Sequence, residues 1–180
     1  MLTELKNYFE NLAVQHVGIN HTSNNANQQG FFYCSIEAIL GEMRIGIPAP
    51  QGAPTTILYA LLPNFGYDAN EPVNMEMEAG FMVLTMAPNQ SPESILAAKE
   101  KSLIISNDIL MRIRHDVYLE IPNPFGADLD LTQCGGLDAG LIHSNYYGYI
   151  VKLPYKFFVG HCVDGNKWDD MPNDHIYYDE

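Results

Sequence analysis

His143–Gly160, HSNYYGYIVKLPYKFFVG, is the stretch on which the fold turns. Aromatic and β-branched residues fill nearly every position, with Gly148 near its start and Pro154 inside it. Such a run reads as a strand, Tyr146 to Val159. It follows a well-signposted helix, SPESILAAKEKSLIISNDILMRIRHDV, residues 91–117. There Ser91 suits the N-cap, Pro92 suits the first helical position, and Glu93 suits the positive end of the helix dipole. Leu96, Leu103, Ser106, Ile109, Leu110 and Ile113 predict one broad packed stripe running to about Arg114. Arg112, Arg114 and His115 stand near the C-terminal end, where positive charge is favoured.

Outward from this pair, MLTELKNYFENLA predicts a first helix, with Leu2, Leu5, Phe9, Leu12 and Ala13 recurring at three- and four-residue steps. FFYCSIEAIL, Phe31 to Leu40, reads as a strand. TTILYALLPNFGY resumes the sheet, and Gly80 to Met86 supplies a third strand. Polar or proline-rich insertions are expected near 21–30, 46–54 and 67–79, a long connector with short strand-like pieces over 118–145, and an extension over 160–180. Helix, three strands, long helix and final strand predict an α+β domain. Its sheet would be antiparallel or mixed, with two main helices packed on one face. A length of 180 residues suits one domain spanning 1–180.

The composition is that of a folded chain, 47% hydrophobic and 11% aromatic. Acids outnumber bases 22 to 9, a formal charge of −13 that repels phosphate backbones and disfavours gripping of nucleic acid. The N-terminal residues mix Glu4, Lys6 and Glu10 among apolar ones, unlike a signal peptide, and no stretch has the apolar length of a spanning helix. Cys34, Cys134 and Cys162 form no CxxC pair, which fits thiols kept in a reducing compartment.

Motifs that carry chemistry are scarce. His16 and His21 are separated by Gly18 and Asn20 and do not share a helical face, while His161-Cys162-Val163-Asp164 with His175 is one local group and not a paired zinc motif. DGNKWDDMPNDH, residues 164–175, departs from a calcium loop at Trp168, Asp169 and His175. No serine stands in a G-x-S-x-G elbow and no phosphate loop occurs. QCGGLDAG, Gln133 to Gly140, places Cys134 before two glycines with Asp138 and His143 beyond, a group read first as a thiol in a flexible turn. Tyr146, Tyr147, Tyr149, Tyr155, Phe157 and Phe158 could stack on bases. With only Lys152 and Lys156 nearby, they are expected to pack the sheet. No catalytic, cofactor-binding or metal-binding residue is therefore assigned.

Asn145-Tyr146-Tyr147-Gly148-Tyr149 leading into a long strand, after a long helix and a connector, resembles the closing strand of tail-terminator (tail-completion) proteins of long-tailed bacteriophages and prophages. Residues 91–117 are similar to their second helix and residues 1–13 to their first. The insertions and the C-terminal extension depart from the smaller members, and related neck and head–tail joining proteins have a comparable layout. The resemblance implies a virion structural protein and not an enzyme, assembled in the host bacterial cytoplasm. It implies a homo-hexameric ring that ends the tail tube and joins it to neck or connector proteins. It implies no cofactor and no membrane, with DNA passing the lumen without specific binding. Two other classes stay open: a small cytoplasmic enzyme with a pocket near Cys134, Asp138 and His143, and a module offering the aromatic strand as a free edge for β-augmentation.

Overall fold

The computed structural model describes residues 2–19, 21–22, 30–34, 55–67, 74–119, 121–125, 129–130, 132–142 and 145–158. The elements in chain order are α1 (Leu2–Gln15), β1 (Phe31–Cys34), β2 (Thr56–Tyr67), β3 (Asn74–Met86), α2 (Pro92–Tyr118), β4 (Gly135–Ile142) and β5 (Tyr146–Phe158). The strands form one sheet in the order β1-β2-β3-β5-β4. β1 runs parallel to β2, and every other pair is antiparallel, so the sheet is mixed and the fold is α+β.

Both helices pack on one face. Leu5, Phe9, Leu12 and Ala13 of α1 join Ile105, Ile109 and Ile113 of α2 over Phe31, Leu58, Ala60, Phe81, Val83, Val151 and Leu153. Aromatic rings tie the layers, Phe9 tilted against Phe81 and Phe125 edge to face with Phe9 and Tyr155. Phe9 lies 5.8 Å from Phe81, and Phe125 lies 6.2 Å from Phe9 and 5.4 Å from Tyr155. Each such ring withdraws enough surface from water to contribute about 2–3 kcal/mol. The other face holds a second buried cluster, Ile57, Tyr59, Leu61, Met82, Leu84, Ile142 and Tyr146, drawn entirely from strands.

Helix α2 starts as its sequence dictates: the Ser91 hydroxyl accepts the Ser94 N–H at 3.2 Å, with Pro92 in the first turn. It runs four residues past Arg114. The face against the sheet differs from the expected stripe. Ala98, Ser102, Ile105, Ser106, Ile109, Ile113 and Asp116 are buried, whereas Leu96 and Leu103 point to solvent. The three small residues let the helix approach the strands closely. Ser102 Oγ lies 2.9 Å from Thr85 Oγ1 and 3.0 Å from the Tyr147 carbonyl oxygen, contacts a leucine could not make.

Three more expectations change. The stretch 67–79, expected as an insertion, contributes Asn74–Ala79 to β3, which pairs with β5 along its whole length and with β2 between Met75 and Thr85. The glycines of the connector lie in a strand, β4, and not in a turn. Gly148, read as part of an Asn-x-x-Gly turn, sits inside β5 opposite Leu84, where a Cβ would meet the Val83 carbonyl oxygen at 1.8 Å. Glycine is required there by close strand approach. The strand expected over 31–40 is described as Phe31–Cys34. The remainder of that strand lies outside the described residues, as do the insertion at 46–54, most of that at 21–30 and the extension from Gly160.

Candidate functional site

Three places in the fold gather chemistry, and the first is the group around Cys134. Its thiol is half-buried and points at the Asp130 carbonyl oxygen, 3.4 Å away. Burial, with the nearby Asp130 charge, pushes the thiol above its ordinary pKa, the opposite of what a nucleophile needs. Asp138, four residues on, pairs with Lys99 of α2, and that hydrogen bond holds its carboxyl below the usual range. The Lys99–Asp138 pair fastens the edge of the sheet to the helix and leaves the carboxylate engaged. His143 lies outside the described residues, as does the run from His161 to His175.

The second place is the junction of α1 with α2. Asp116, 2% exposed, accepts hydrogen bonds from Tyr8 Oη at 2.9 Å and Arg112 Nε at 2.8 Å, with His115 Nδ1 3.2 Å away. Burial favours the protonated acid, but the His115, Tyr8 and Arg112 contacts prevail and hold the carboxyl below its ordinary pKa. Burial and the Asp116 charge push the Tyr8 phenol far above its ordinary value. A carboxylate held by donors from both helices acts as a fastening between them. Beside it, Leu12, Gln15, His16, Asp108, Ile109 and Arg112 line a cleft of about 170 Å³. That is below the roughly 300–1,000 Å³ of sites that enclose a small molecule.

The two histidines considered as metal ligands serve separate partners. His16 Nδ1 accepts the Gly18 N–H at 3.1 Å while its Nε2 faces Asp108 at 3.5 Å. His21 Nδ1 accepts the Gly30 N–H at 3.2 Å, with Nε2 3.6 Å from Glu10. Among the described residues no three His, Cys, Asp or Glu side chains are grouped to hold a metal ion, and no helix is long and apolar enough to cross a membrane.

The third place is the surface. β4 ends the sheet, bonded to β5 on one side and to no strand among the described residues on the other. Leu137 and Leu141 of this edge are 61% and 56% exposed. A bulge between Asp138 and Gly140, with Gly140 at φ 71°, interrupts the edge at its middle. α2 carries the other apolar surface. Leu96, Leu103, Met111 and Tyr118 are 58%, 51%, 51% and 83% exposed, on the side away from the sheet.

No family model, curated protein or solved structure matches this chain.

Of the aromatics expected to pack the sheet, Tyr146 and Tyr155 are buried and Tyr147 and Tyr149 are half-buried. β5 is also an inner strand, between β3 and β4, so it is not the free edge that β-augmentation would need. Pro154 fits there because β4 stops pairing at Lys152, and the proline carbonyl accepts the Asp130 N–H at 3.0 Å. Sequence reasoning missed the surface features. Leu96 and Leu103 were assigned to the packed stripe, and β4 was read only as a strand-like piece of the connector. The signal available was a helix with apolar residues on two sides, more than one packed face can bury.

Proposed function

We propose that this chain is a virion structural protein of the tail-terminator (tail-completion) or related neck type, whose copies form a ring at the end of a tail tube. The observation that carries the reading is the β4 edge. An edge strand displays backbone N–H and C=O groups ready to pair with another chain, and this one adds two leucines in solvent. A head-to-tail contact at such an edge, repeated with a closing rotation, builds a ring. The bulge at Asp138/Gly140 restricts pairing to short segments on either side, which favours a defined register over indiscriminate stacking. A net charge of −13 suits a lumen that DNA traverses without being held.

The test is the mass and shape of the purified full-length chain. Native mass measurement and negative-stain images are expected to give closed rings of about six copies, the number implied by the resemblance. Leu137→Asp combined with Leu141→Asp is expected to abolish them. A strict monomer, alone and when mixed with tail tubes, overturns the reading.

A further inference from the structure

We infer that the outer face of α2 is a self-complementary surface on which a second copy of this chain docks through its own α2, antiparallel and across a two-fold axis at Asn107. The inference goes beyond the ring reading and does not depend on it, because it rests on a different face of the molecule.

At 100° per residue, Leu96, Glu100, Leu103, Asn107, Met111, Arg114 and Tyr118 fall within an arc of about 80°. All seven are exposed. The buried residues Ala98, Ser102, Ile105, Ile109, Ile113 and Asp116 lie roughly opposite. The arc is thus a second face of the helix, presented outward along about 33 Å of its length.

The order of residues along the arc is symmetric in chemistry about Asn107. Leu103 and Met111 lie four residues to either side, Glu100 and Arg114 seven, Leu96 and Tyr118 eleven. If a second α2 is laid against the first in the opposite direction, with the two Asn107 residues level, apolar residues meet apolar ones at four levels. Each Glu100 then meets the partner copy's Arg114. Neither residue has an ion pair among the described residues of its own subunit. The parallel arrangement, by contrast, sets Glu100 against Glu100 and Arg114 against Arg114, two like-charge contacts that destabilise it. Charge therefore selects the antiparallel pair. Asn107 at the axis offers both a donor and an acceptor to its own copy, which fixes the register as a polar residue does in a helix pair. Ile104, also exposed, flanks the central level and widens the apolar contact.

Each contact is isologous, so it closes after two subunits. Where the β4 edge forms a ring, the α2 contact joins one ring to another. Where it does not, the α2 contact gives a plain dimer.

Six variants of the full chain, followed by sedimentation and by far-ultraviolet circular dichroism, test the inference. Leu103→Gln with Met111→Gln keeps good helix formers at exposed positions and is expected to weaken two-fold association at least tenfold with the helical signal unchanged. Glu100→Arg alone and Arg114→Glu alone are each expected to weaken it, and the two combined to restore it. Asn107→Cys is expected to give a disulfide-linked dimer under mild oxidation. The β4 pair, Leu137→Asp with Leu141→Asp, leaves a dimer, so failure of the ring leaves this contact standing. A wild-type chain without any two-fold contact at high micromolar concentration overturns the inference. So does a charge swap that fails to recover association, or association unaffected by the glutamine pair.

Discussion

A carboxylate buried to 2% exposure persists at Asp116 because donors on two helices converge on it. Tyr8→Phe removes one of them and is expected to cost about 2 kcal/mol in urea unfolding, as for a hydrogen bond to a charged acceptor. Asp116→Ala, which removes the acceptor shared by the Tyr8 hydroxyl and the half-exposed Arg112, is expected to cost about 2 kcal/mol or more. The folded-state pKa of Asp116 is depressed, so its contribution is complete above the unfolded value of about 3.9 and is lost as pH falls through the lower folded value. The stability gap between wild type and Asp116→Asn should therefore narrow only below about pH 4. Gly148→Ala tests another single position. A Cβ placed 1.8 Å from a backbone oxygen must force β3 and β5 apart, and a loss of at least about 3 kcal/mol, or failure to fold, is expected. The Arg112–Asp116 spacing is visible in the sequence as an i,i+4 pair, but Tyr8 as third member is not. It is 108 residues away, and only packing of α1 on α2 brings it there.

At the scale of the element, α2 is a helix with two apolar sides of different fates. Ile109→Ala is expected to cost about 2–5 kcal/mol, as for truncation in a packed core. Leu103→Ala is expected to change the stability of the isolated subunit by no more than about 0.5 kcal/mol. Calorimetry of both variants, in a background where the subunit is monomeric, distinguishes the two faces directly. Ser91→Ala, removing a cap whose hydroxyl accepts the Ser94 N–H, should cost about 1 kcal/mol. The existence, start and length of this helix were legible because caps and periodicity are local. Which side would pack was not, since Leu96 and Leu103 outweigh Ala98 and Ser102 in any count of hydrophobicity. β4 was legible only as a strand-like piece of the connector for a related reason. Gly135, Gly136 and Gly140 weaken every local strand signal, and the segment is held by pairing with β5 and by the Lys99–Asp138 bridge.

At the scale of the whole molecule, the two outward surfaces, the β4 edge and the α2 arc, point in different directions of use. One is a backbone edge suited to head-to-tail repetition, the other a side-chain face suited to a two-fold. Variants at the β4 edge should change ring formation and leave α2 pairing intact, while variants of the α2 arc should do the reverse. Native mass spectrometry of both sets reads this separation in one experiment. The α2 contact contains one acid and one base per copy, so raised salt should weaken it modestly, by screening two exposed ion pairs and no more. The candidate residues Cys134 and Asp138 have separate partners, the Asp130 carbonyl oxygen and the Lys99 ammonium. What they do there, a shielded thiol and a tether to Lys99, came from the environment.

The sequence by itself determined the two helices of the described residues and a β-rich segment after them, because capping, dipole placement and strand-forming side chains act within a few residues. It determined the α+β class from the order of those segments. Tertiary structure alone decided that β5 lies inside the sheet, that β4 takes the edge, and that the small-residue side of α2 faces the strands. The reason is close packing. Ala98, Ser102 and Ser106 allow helix and sheet to approach within hydrogen-bond distance, and that fit turned the bulkier leucines outward, where a second copy can cover them.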